Sequence, residues 1–281
     1  MQGWLRVVIV AVFMVVLSGC TSQSAQGPAG ASPPSTAGEQ PASGELTVFA
    51  AASLTEAFTQ IGADFEAANP GTKVVFNFAG SQQLAQQLAQ GAPADVFASA
   101  NEQQMDVAVE DGRVTADAPQ DFGQNQLVVV VPADNPGDVE TLADLAKPGL
   151  KVVLASADVP VGGYSLEYLD KANAHTDFSS TYRDAVLENV VSYEQTVKAV
   201  LTKVVLGEAD AGIVYTSDIT ANVVNQVQQI AIPDDLNTIA VYPIAQVSDS
   251  TQPALAEAFI GYVLSAEGQR TLADFGFLPI E

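Results

Sequence analysis

The sequence predicts an α/β protein in which mostly parallel sheets are flanked by helices. From Leu46 onwards, apolar segments of strand length alternate with amphipathic segments of helix length. This alternation favours parallel strands, because their crossover connections place helices on the faces of the sheet. The chain of 281 residues is long enough for one large domain or two smaller ones.

The first part of this pattern contains three strands. The first two are predicted at 46–51 and 73–78, and 91–98 is predicted to be a turn followed by the third strand. Ser53-Leu54-Thr55-Glu56 is typical of a capping box with Ser53 at the N-cap, and the helix that follows ends at Asn69-Pro70-Gly71. Gly80-Ser81 is expected to open the second helix.

The second part continues the alternation and predicts a crossing into a second lobe at Asn125 to Pro132. Further strands are predicted at 127–131, 152–155, 211–215 and 239–247, and helices at 197–206, 253–264 and 267–275. The turn from Val159 to Gly163 is expected to lead into a helix starting at Tyr164.

The first 44 residues predict export and membrane anchoring. Arg6 precedes an apolar run, Val7 to Leu17, that is too short to span a bilayer and is typical of an export signal. The run ends in Leu17-Ser18-Gly19-Cys20, which resembles a bacterial lipoprotein signal, so we expect residues 1–19 to be a signal peptide and Cys20 to be lipidated. Residues 21–44 are small and polar and predict a flexible tether. The protein is therefore expected at the cell membrane, facing the extracytoplasmic side.

Composition excludes several classes of protein. The formal net charge of −23 lacks the basic footprint of a nucleic-acid binder. The single Cys excludes a disulfide framework and multi-thiolate metal sites, and the single His, His175, lies in a polar stretch typical of a solvated helix end. The sequence contains no nucleophile elbow, phosphate-binding Gly-Lys loop or His-Glu-x-x-His motif. An enzyme is therefore not expected, although 33 acidic residues leave open a hydrolase that uses a carboxylate pair.

Serines and glycines lie at predicted junctions between a strand and the next helix. Ser53 and Ser81 follow the first two strands, and Val161-Gly162-Gly163 follows a later one. In parallel α/β sheets these junctions line the carboxyl edge, where ligands bind. Several helix N-termini together present unpaired N–H groups and partial positive charge, which predicts an anion site without Lys or Arg. Taken singly, either serine is equally typical of a structural helix cap.

Three segments resemble the molybdate-binding proteins of bacterial ABC importers. They are Leu46 to Ala57, Gly91 to Phe97 and Gly212 to Asp218, and the ending from Leu264 to Phe277 is similar to the wider class of type II solute-binding proteins. The resemblance covers residues 45–281. It implies two α/β lobes joined by two hinge crossings, with lobe I at 45–124 plus 236–281 and lobe II at 125–235. One tetrahedral oxyanion is expected between them.

The resemblance also implies five ligand-binding residues. In the family, two Ser hydroxyls, a Tyr hydroxyl and backbone amides hold the oxyanion. The matching positions are Ser53, Ser81, Val161, Val197 and Tyr215, the two valines through their N–H groups. Core packing is the alternative for Val161, Val197 and Tyr215. A helix capped by Ser192 and starting at Tyr193 would also occupy the Val197 amide.

The function implied is capture of molybdate, and of tungstate, by cleft closure and delivery to an ABC permease and its ATPase subunit. No cofactor, no cationic metal ligand and no nucleic-acid partner are expected, and the protein is expected to be a monomer. A donor-only site favours a fully ionised oxyanion, which includes sulfate, so the same fold binding sulfate or another tetrahedral oxyanion remains an alternative. A hydrolase and an adhesive lipoprotein are alternatives from other classes.

Overall fold

The computed structural model describes residues 43–280, so the predicted signal peptide, Cys20 and the tether up to residue 42 lie outside the described residues. The described chain forms ten strands and eight α-helices. In chain order they are β1 (Gly44–Ala51), α1 (Thr55–Ala68), β2 (Thr72–Ala79), α2 (Ser81–Ala89), β3 (Val96–Ala98), α3 (Glu102–Glu110), β4 (Gln120–Asn125), β5 (Leu127–Pro132), β6 (Val152–Ala155), α4 (Pro160–Ala174), α5 (Tyr182–Glu188), β7 (Val190–Glu194), α6 (Val197–Val205), β8 (Ala211–Tyr215), β9 (Val227–Ala231), β10 (Ala240–Gln246), α7 (Pro253–Leu264) and α8 (Ala266–Asp274). No helix within residues 43–280 is long and apolar enough to cross a lipid bilayer.

The strands form two five-stranded sheets with the orders β2-β1-β3-β10-β4 and β7-β6-β8-β5-β9. The first sheet with α1, α2, α3, α7 and α8 is called lobe I below, and the second with α4, α5 and α6 is called lobe II. The chain crosses between the sheets twice, from β4 to β5 and from β9 to β10. The predicted α/β fold with two sheets and two crossings is therefore confirmed. The residue boundaries predicted for the lobes stay a prediction.

The sheets are mixed rather than mostly parallel. In lobe I, β1 pairs in parallel with β2 and β3, whereas β10 pairs antiparallel with β3 and β4. Lobe II repeats this arrangement, because β6 is parallel to β7 and β8 while β5 is antiparallel to β8 and β9. The antiparallel pairs all involve strands next to a crossing, where the chain enters or leaves a lobe without a covering helix.

The central strands of each sheet are buried on both faces, which explains their apolar sequences. Along β1, Val48 belongs to a core shared with α1, whereas its neighbour Phe49 packs with Leu84 and Met105 under α2 and α3. Such two-sided burial requires almost uninterrupted apolar residues. The run of valines in β5 meets the same requirement in lobe II.

Two local predictions at helix starts are wrong, and an alternative left open at a third is not realised; each concerns a residue of the predicted site. Ser53 does not cap a helix: it lies inside a short 3-10 helix, Ala52–Leu54, that leads into α1. Helix α4 begins at Pro160 rather than Tyr164, because proline is well suited to the first helical position. Tyr193 lies in strand β7 instead of starting a helix.

Candidate functional site

One cavity is lined by all five residues that the sequence analysis singled out. It is small and lies where the carboxyl ends of parallel strands from both lobes meet. Its lining residues are Ala51, Ala52, Ser53, Gly80, Ser81, Ala100, Val159, Pro160, Val161, Thr196, Val197 and Tyr215. The position follows the general rule that open α/β sheets bind ligands beyond the carboxyl ends of their strands.

Three α-helices begin at the wall of this cavity. Ser81 is the first residue of α2, Val161 the second of α4 and Val197 the first of α6. N–H groups at these positions have no acceptor within their own helix, and the helix dipoles place partial positive charge at the same ends. The cavity is therefore surrounded by amide donors from both lobes.

The Val197 amide is available because Thr196, rather than Ser192, caps α6. The Thr196 hydroxyl accepts a hydrogen bond from the Ala199 N–H at 3.2 Å, and the backbone of Thr196 is extended. The first bond of the helix ladder here runs from the Val200 N–H to the Thr196 carbonyl. The helix therefore starts late enough to leave the Val197 N–H outside the ladder.

Helix α4 can begin so close to the end of β6 because residue 162 is glycine. A Cβ at Gly162 would overlap the carbonyl oxygen of Ser156 and would lie 2.7 Å from that of Ala155. Both of these acceptors are backbone atoms and cannot move aside independently. Gly162 therefore allows the start of α4, with the Val161 amide, to lie against the end of the strand.

The Ser53 hydroxyl ends a chain of hydrogen bonds in lobe I. Its Oγ lies 3.0 Å from the hydroxyl of Tyr242, which also accepts a bond from the Asn125 side-chain amide at 3.4 Å. Burial raises the pKa of Tyr242, so its hydroxyl stays protonated. When Tyr242 donates to Ser53, the proton of Ser53 is left for an acceptor in the cavity.

The Ser81 hydroxyl is oriented in a similar way from the other side of lobe I. Its oxygen accepts the Ala100 N–H at 3.0 Å, and Ser81 itself is buried. A hydroxyl that already accepts a bond still has its own proton to donate. Ser81 therefore offers both a hydroxyl and a helix-start amide.

Tyr215 brings the third hydroxyl, at the end of β8 in lobe II. Its side chain is buried, and among the described residues its oxygen has no hydrogen-bond partner. Burial raises the pKa of Tyr215 well above its ordinary value, with the neighbouring Tyr242, Tyr164 and Asp218 acting in the same direction. A neutral, buried and unpartnered hydroxyl at the cavity wall is a donor without an acceptor, which is what an oxyanion would supply.

Among the residues that the structure describes, neither carboxylates nor cationic side chains line the cavity. Its polar groups are hydroxyls and backbone amides, and they come from lobe I through Ser53 and Ser81 and from lobe II through Val161, Val197 and Tyr215. Such a set can hold an anion by charge-assisted hydrogen bonds, which are roughly twice as strong as neutral ones. Within residues 43–280, no group of three or more His, Cys, Asp or Glu is placed to hold a metal cation.

Sequence reasoning missed the residues that orient these donors. The signal for Thr196 was present, because threonine before an apolar helical run is a preferred N-cap. Asn125 and Tyr242 carried no such signal. Asn125 lies at the first crossing and joins the lobes by donating to Ser217 at 2.7 Å and accepting from the Thr216 hydroxyl at 3.0 Å.

A family model supplies the assignment that the geometry by itself leaves open. The model of the bacterial extracellular solute-binding proteins matches residues 46–278. The chain belongs to this family. The prediction of a solute-binding protein rather than an enzyme is confirmed, and the hydrolase alternative is set aside.

Individual members of the solute-binding protein family show how far the similarity extends. The molybdate-binding protein ModA of Mycobacterium tuberculosis is 40% identical over 274 residues, which cover 98% of each chain. The periplasmic molybdate-binding protein of Azotobacter vinelandii superposes with a TM-score of 0.72 at 20% identity and covers 84% of this chain and all of its own. The sulfate-binding protein SubI of Mycobacterium tuberculosis reaches 0.75 at 22% identity, with 84% of this chain and 87% of its own covered. At these identities the two structures show the fold alone, and the resemblance to molybdate-binding proteins is confirmed by the sequence relative.

Proposed function

We propose that the protein captures molybdate, and also tungstate, in the cavity between its lobes and delivers the ion to an ABC importer. The observation that carries this proposal is the convergence of Ser53, Ser81, Val161, Val197 and Tyr215 on one cavity that no charged side chain lines. These are the positions that the resemblance to the molybdate-binding proteins implies as ligand-binding. The ModA relative, similar along the whole chain, supports the choice of ligand.

The protonation of the ligand gives the site its first means of selection. Phosphate near neutral pH still carries a proton and is bound best where an acceptor, such as a carboxylate, receives it. The cavity lining offers donors and no carboxylate. The site therefore favours a fully ionised tetrahedral oxyanion over phosphate.

Closure of the cleft connects binding to transport. Ligand donors come from lobe I (45–124 plus 236–281) and lobe II (125–235), so the full set of contacts exists only when the lobes meet, and the ligand stabilises the closed form. A permease that recognises the closed form, with an ATPase subunit driving release, would then receive the loaded protein. In membrane vesicles holding permease and ATPase, uptake should require both this protein and ATP.

Calorimetric titration with molybdate, tungstate, sulfate and phosphate tests the ligand assignment. We expect molybdate and tungstate to bind most tightly and phosphate most weakly. Saturation with 100 times Kd of ligand should also stabilise the fold by about 2.7 kcal/mol, visible as a rise in Tm. Sulfate binding as tight as molybdate would remove the assignment while leaving the oxyanion site in place.

Sulfate is the second candidate ligand, because the sulfate-binding protein SubI shares the fold at a TM-score of 0.75. Sulfate is also fully ionised at neutral pH, so protonation does not separate it from molybdate. Discrimination between sulfate and the larger molybdate must therefore come from the size of the closed cavity. The titration above measures this directly.

We further propose that the protein is lipid-anchored through Cys20. The apolar run ending in Leu17-Ser18-Gly19-Cys20 and the small, polar stretch after it support this. Two acyl chains on Cys20 would be enough for stable anchoring. In a bacterial host, the parent protein should incorporate labelled fatty acid and sediment with membranes. Cys20→Ser should abolish both, and continued incorporation in that variant would contradict the proposal.

A further inference from the structure

Besides the bonds of Asn125 at the first crossing, three polar side-chain contacts among the described residues join the lobes beside the cavity, and one of them is an ion pair. Gln82 of α2 donates to the Gln195 carbonyl at 3.1 Å, and Gln104 of α3 donates to the Asp158 carbonyl at 3.4 Å. The charged contact is 2.7 Å long and runs from Lys198 Nζ in lobe II to Glu56 Oε2 in lobe I. Among the salt bridges of residues 43–280, this is the single one that crosses the cleft.

The two charged residues lie close in sequence to proposed ligand-donor positions. Glu56 is in the first turn of α1, three residues after Ser53, and Lys198 follows Val197 at the start of α6. Helix α6 also packs against the 3-10 helix that contains Ser53. The ion pair therefore requires the same approach of the lobes that brings the Ser53 hydroxyl and the Val197 amide to one cavity.

Lys198 has a second partner that does not depend on closure. Its Nζ lies 3.1 Å from Oδ1 of Asp218, which is completely buried in lobe II and accepts the Tyr215 N–H through Oδ2. Lys198 and Asp218 belong to the same lobe, so this pair does not require the lobes to meet. Glu56 is then the partner that Lys198 gains on closing.

We propose that Glu56 and Lys198 are a closure latch: a positioning pair that prolongs the closed, oxyanion-bound state without touching the ligand. The inference rests on the proposed function and adds a source of affinity outside the ligand contacts. In the open form, the Glu56 carboxylate is a negative charge near Ser53 with no cation opposite it. Closure brings Lys198 onto this carboxylate, so pairing and anion binding favour the same state.

The obvious alternative predicts the opposite sign. If Glu56 acted only as a negative charge near a dianion, removing that charge would tighten binding. If the latch operates, removing it destabilises the closed state and weakens binding. Glu56→Gln separates the two, because it keeps the shape of the side chain and leaves Lys198 paired with the buried Asp218.

The experiment measures molybdate binding to the purified protein and to Glu56→Gln by calorimetry and by stopped-flow dissociation. We expect Kd to rise about 3- to 10-fold, as for a half-buried ion pair, with the change in the dissociation rate because the pair forms after the ligand has entered. The ratio of the two Kd values should fall towards 1 at 0.5 M NaCl, since salt screens the pair in the parent. A purely structural lesion would instead lower the Tm of the ligand-free variant and give a ratio independent of salt.

Glu267→Gln is the matched control, since Glu267 also lies in the first turn of a lobe I helix and has no salt-bridge partner within residues 43–280. This control should bind like the parent. If Glu56→Gln lowers the Tm, Glu56→Asp keeps the charge but shortens the reach, and it should still raise Kd. Unchanged or tighter binding in the Glu56 variants overturns the latch.

The parent titration separates this outcome from failure of the proposed function. If the parent binds sulfate but not molybdate, the ligand assignment fails and the latch is tested with sulfate in the same way. A parent that binds no oxyanion overturns both proposals, because the latch is defined by the oxyanion-bound state.

Discussion

Replacing Tyr215 by Phe is the most direct test of the site, because affinity and stability should respond differently. The Tyr215 hydroxyl is buried and lacks a hydrogen-bond partner among residues 43–280, and its ring packs at 6.0 Å from the ring of Tyr242. The substitution removes one oxygen and keeps the ring. Loss of packing therefore contributes little to the changes in Kd and Tm, and these changes measure the effect of the hydroxyl itself.

The expected magnitudes follow from these surroundings. A hydrogen bond to a charged ligand contributes about 1.5–3 kcal/mol, so the molybdate Kd should rise roughly 10- to 150-fold. A buried hydroxyl without a partner costs about 1–3 kcal/mol where the ligand-free protein is closed and nothing where water reaches it. The Tm of ligand-free Tyr215→Phe should therefore equal or exceed that of the parent.

Calorimetry and thermal unfolding on the same preparations measure both quantities. Tyr193→Phe is the control, because its side chain is half-exposed on β7 and is not part of the cavity lining. The control should match the parent in both measurements. Equal affinity in Tyr215→Phe and Tyr193→Phe would refute the assignment of the Tyr215 hydroxyl as a ligand donor. A lower Tm in Tyr215→Phe would refute the claim that the hydroxyl lacks a partner.

The pH dependence of this difference follows from the raised pKa of Tyr215. An ordinary tyrosine loses its proton near pH 10, whereas burial keeps the Tyr215 hydroxyl protonated, and thus a donor, at higher pH. The ratio of the Kd values of Tyr215→Phe and parent should therefore stay constant from pH 7 to about pH 10. A ratio that falls towards 1 below pH 10 would show that the hydroxyl titrates normally.

Three further substitutions test the other donors and the closing of the cleft. Ser81→Ala should weaken molybdate binding by about 1.5–3 kcal/mol, and it should also lower the Tm because it leaves the Ala100 N–H without its acceptor. Calorimetry and melting curves measure the two effects, and unchanged affinity with a lowered Tm would make Ser81 purely structural. Val197→Pro should weaken binding by a similar amount, since proline fits the first position of a helix but lacks the N–H, and Val197→Ala, which keeps the amide, should bind more tightly than the proline variant. Gly80→Ala should hinder closure, because its Cβ would lie 2.6 Å from the Gln195 carbonyl oxygen of the opposite lobe. We expect Kd to rise at least tenfold with little change in the ligand-free Tm. Small-angle scattering of the ligand-saturated variant should show a larger radius of gyration than that of the parent, and an identical radius would contradict this.

The sequence predicted the position of the site better than the structure around it. Strand ends and helix starts are visible as apolar runs followed by Ser, Thr, Gly or Pro, which is why Ser53 and Ser81 could be placed at junctions that meet in the fold. Whether neighbouring strands run parallel or antiparallel was harder to predict from the sequence. Nothing local in the Val-rich segment of β5 says that it runs antiparallel to β8, because burial on both faces gives the same apolar run in either direction.

Residues that act through others left no pattern to read. Tyr242 is far from Ser53 in the sequence, and a tyrosine in an apolar strand is typical of any core. The cross-cleft pair of Glu56 and Lys198 is equally invisible, since each looks like a charge on an exposed helix turn. At Thr196 a local capping signal did exist. It competed with the capping-box pattern that begins at Ser192, which in the structure lies in strand β7.

The absence of cations from the cavity lining has a consequence for release. Lys198 directly follows the proposed donor Val197. It forms salt bridges with Asp218 and Glu56 and does not line the cavity. In the proposed site, anion binding depends on dipoles fixed at helix starts in both lobes, and separating the lobes withdraws the lobe II donors together. No group has to gain or lose a proton for the ion to leave. A transporter that pulls the lobes apart can therefore lower the affinity in a single mechanical step, whereas a lysine or arginine on the ligand would continue to hold it in the open cleft.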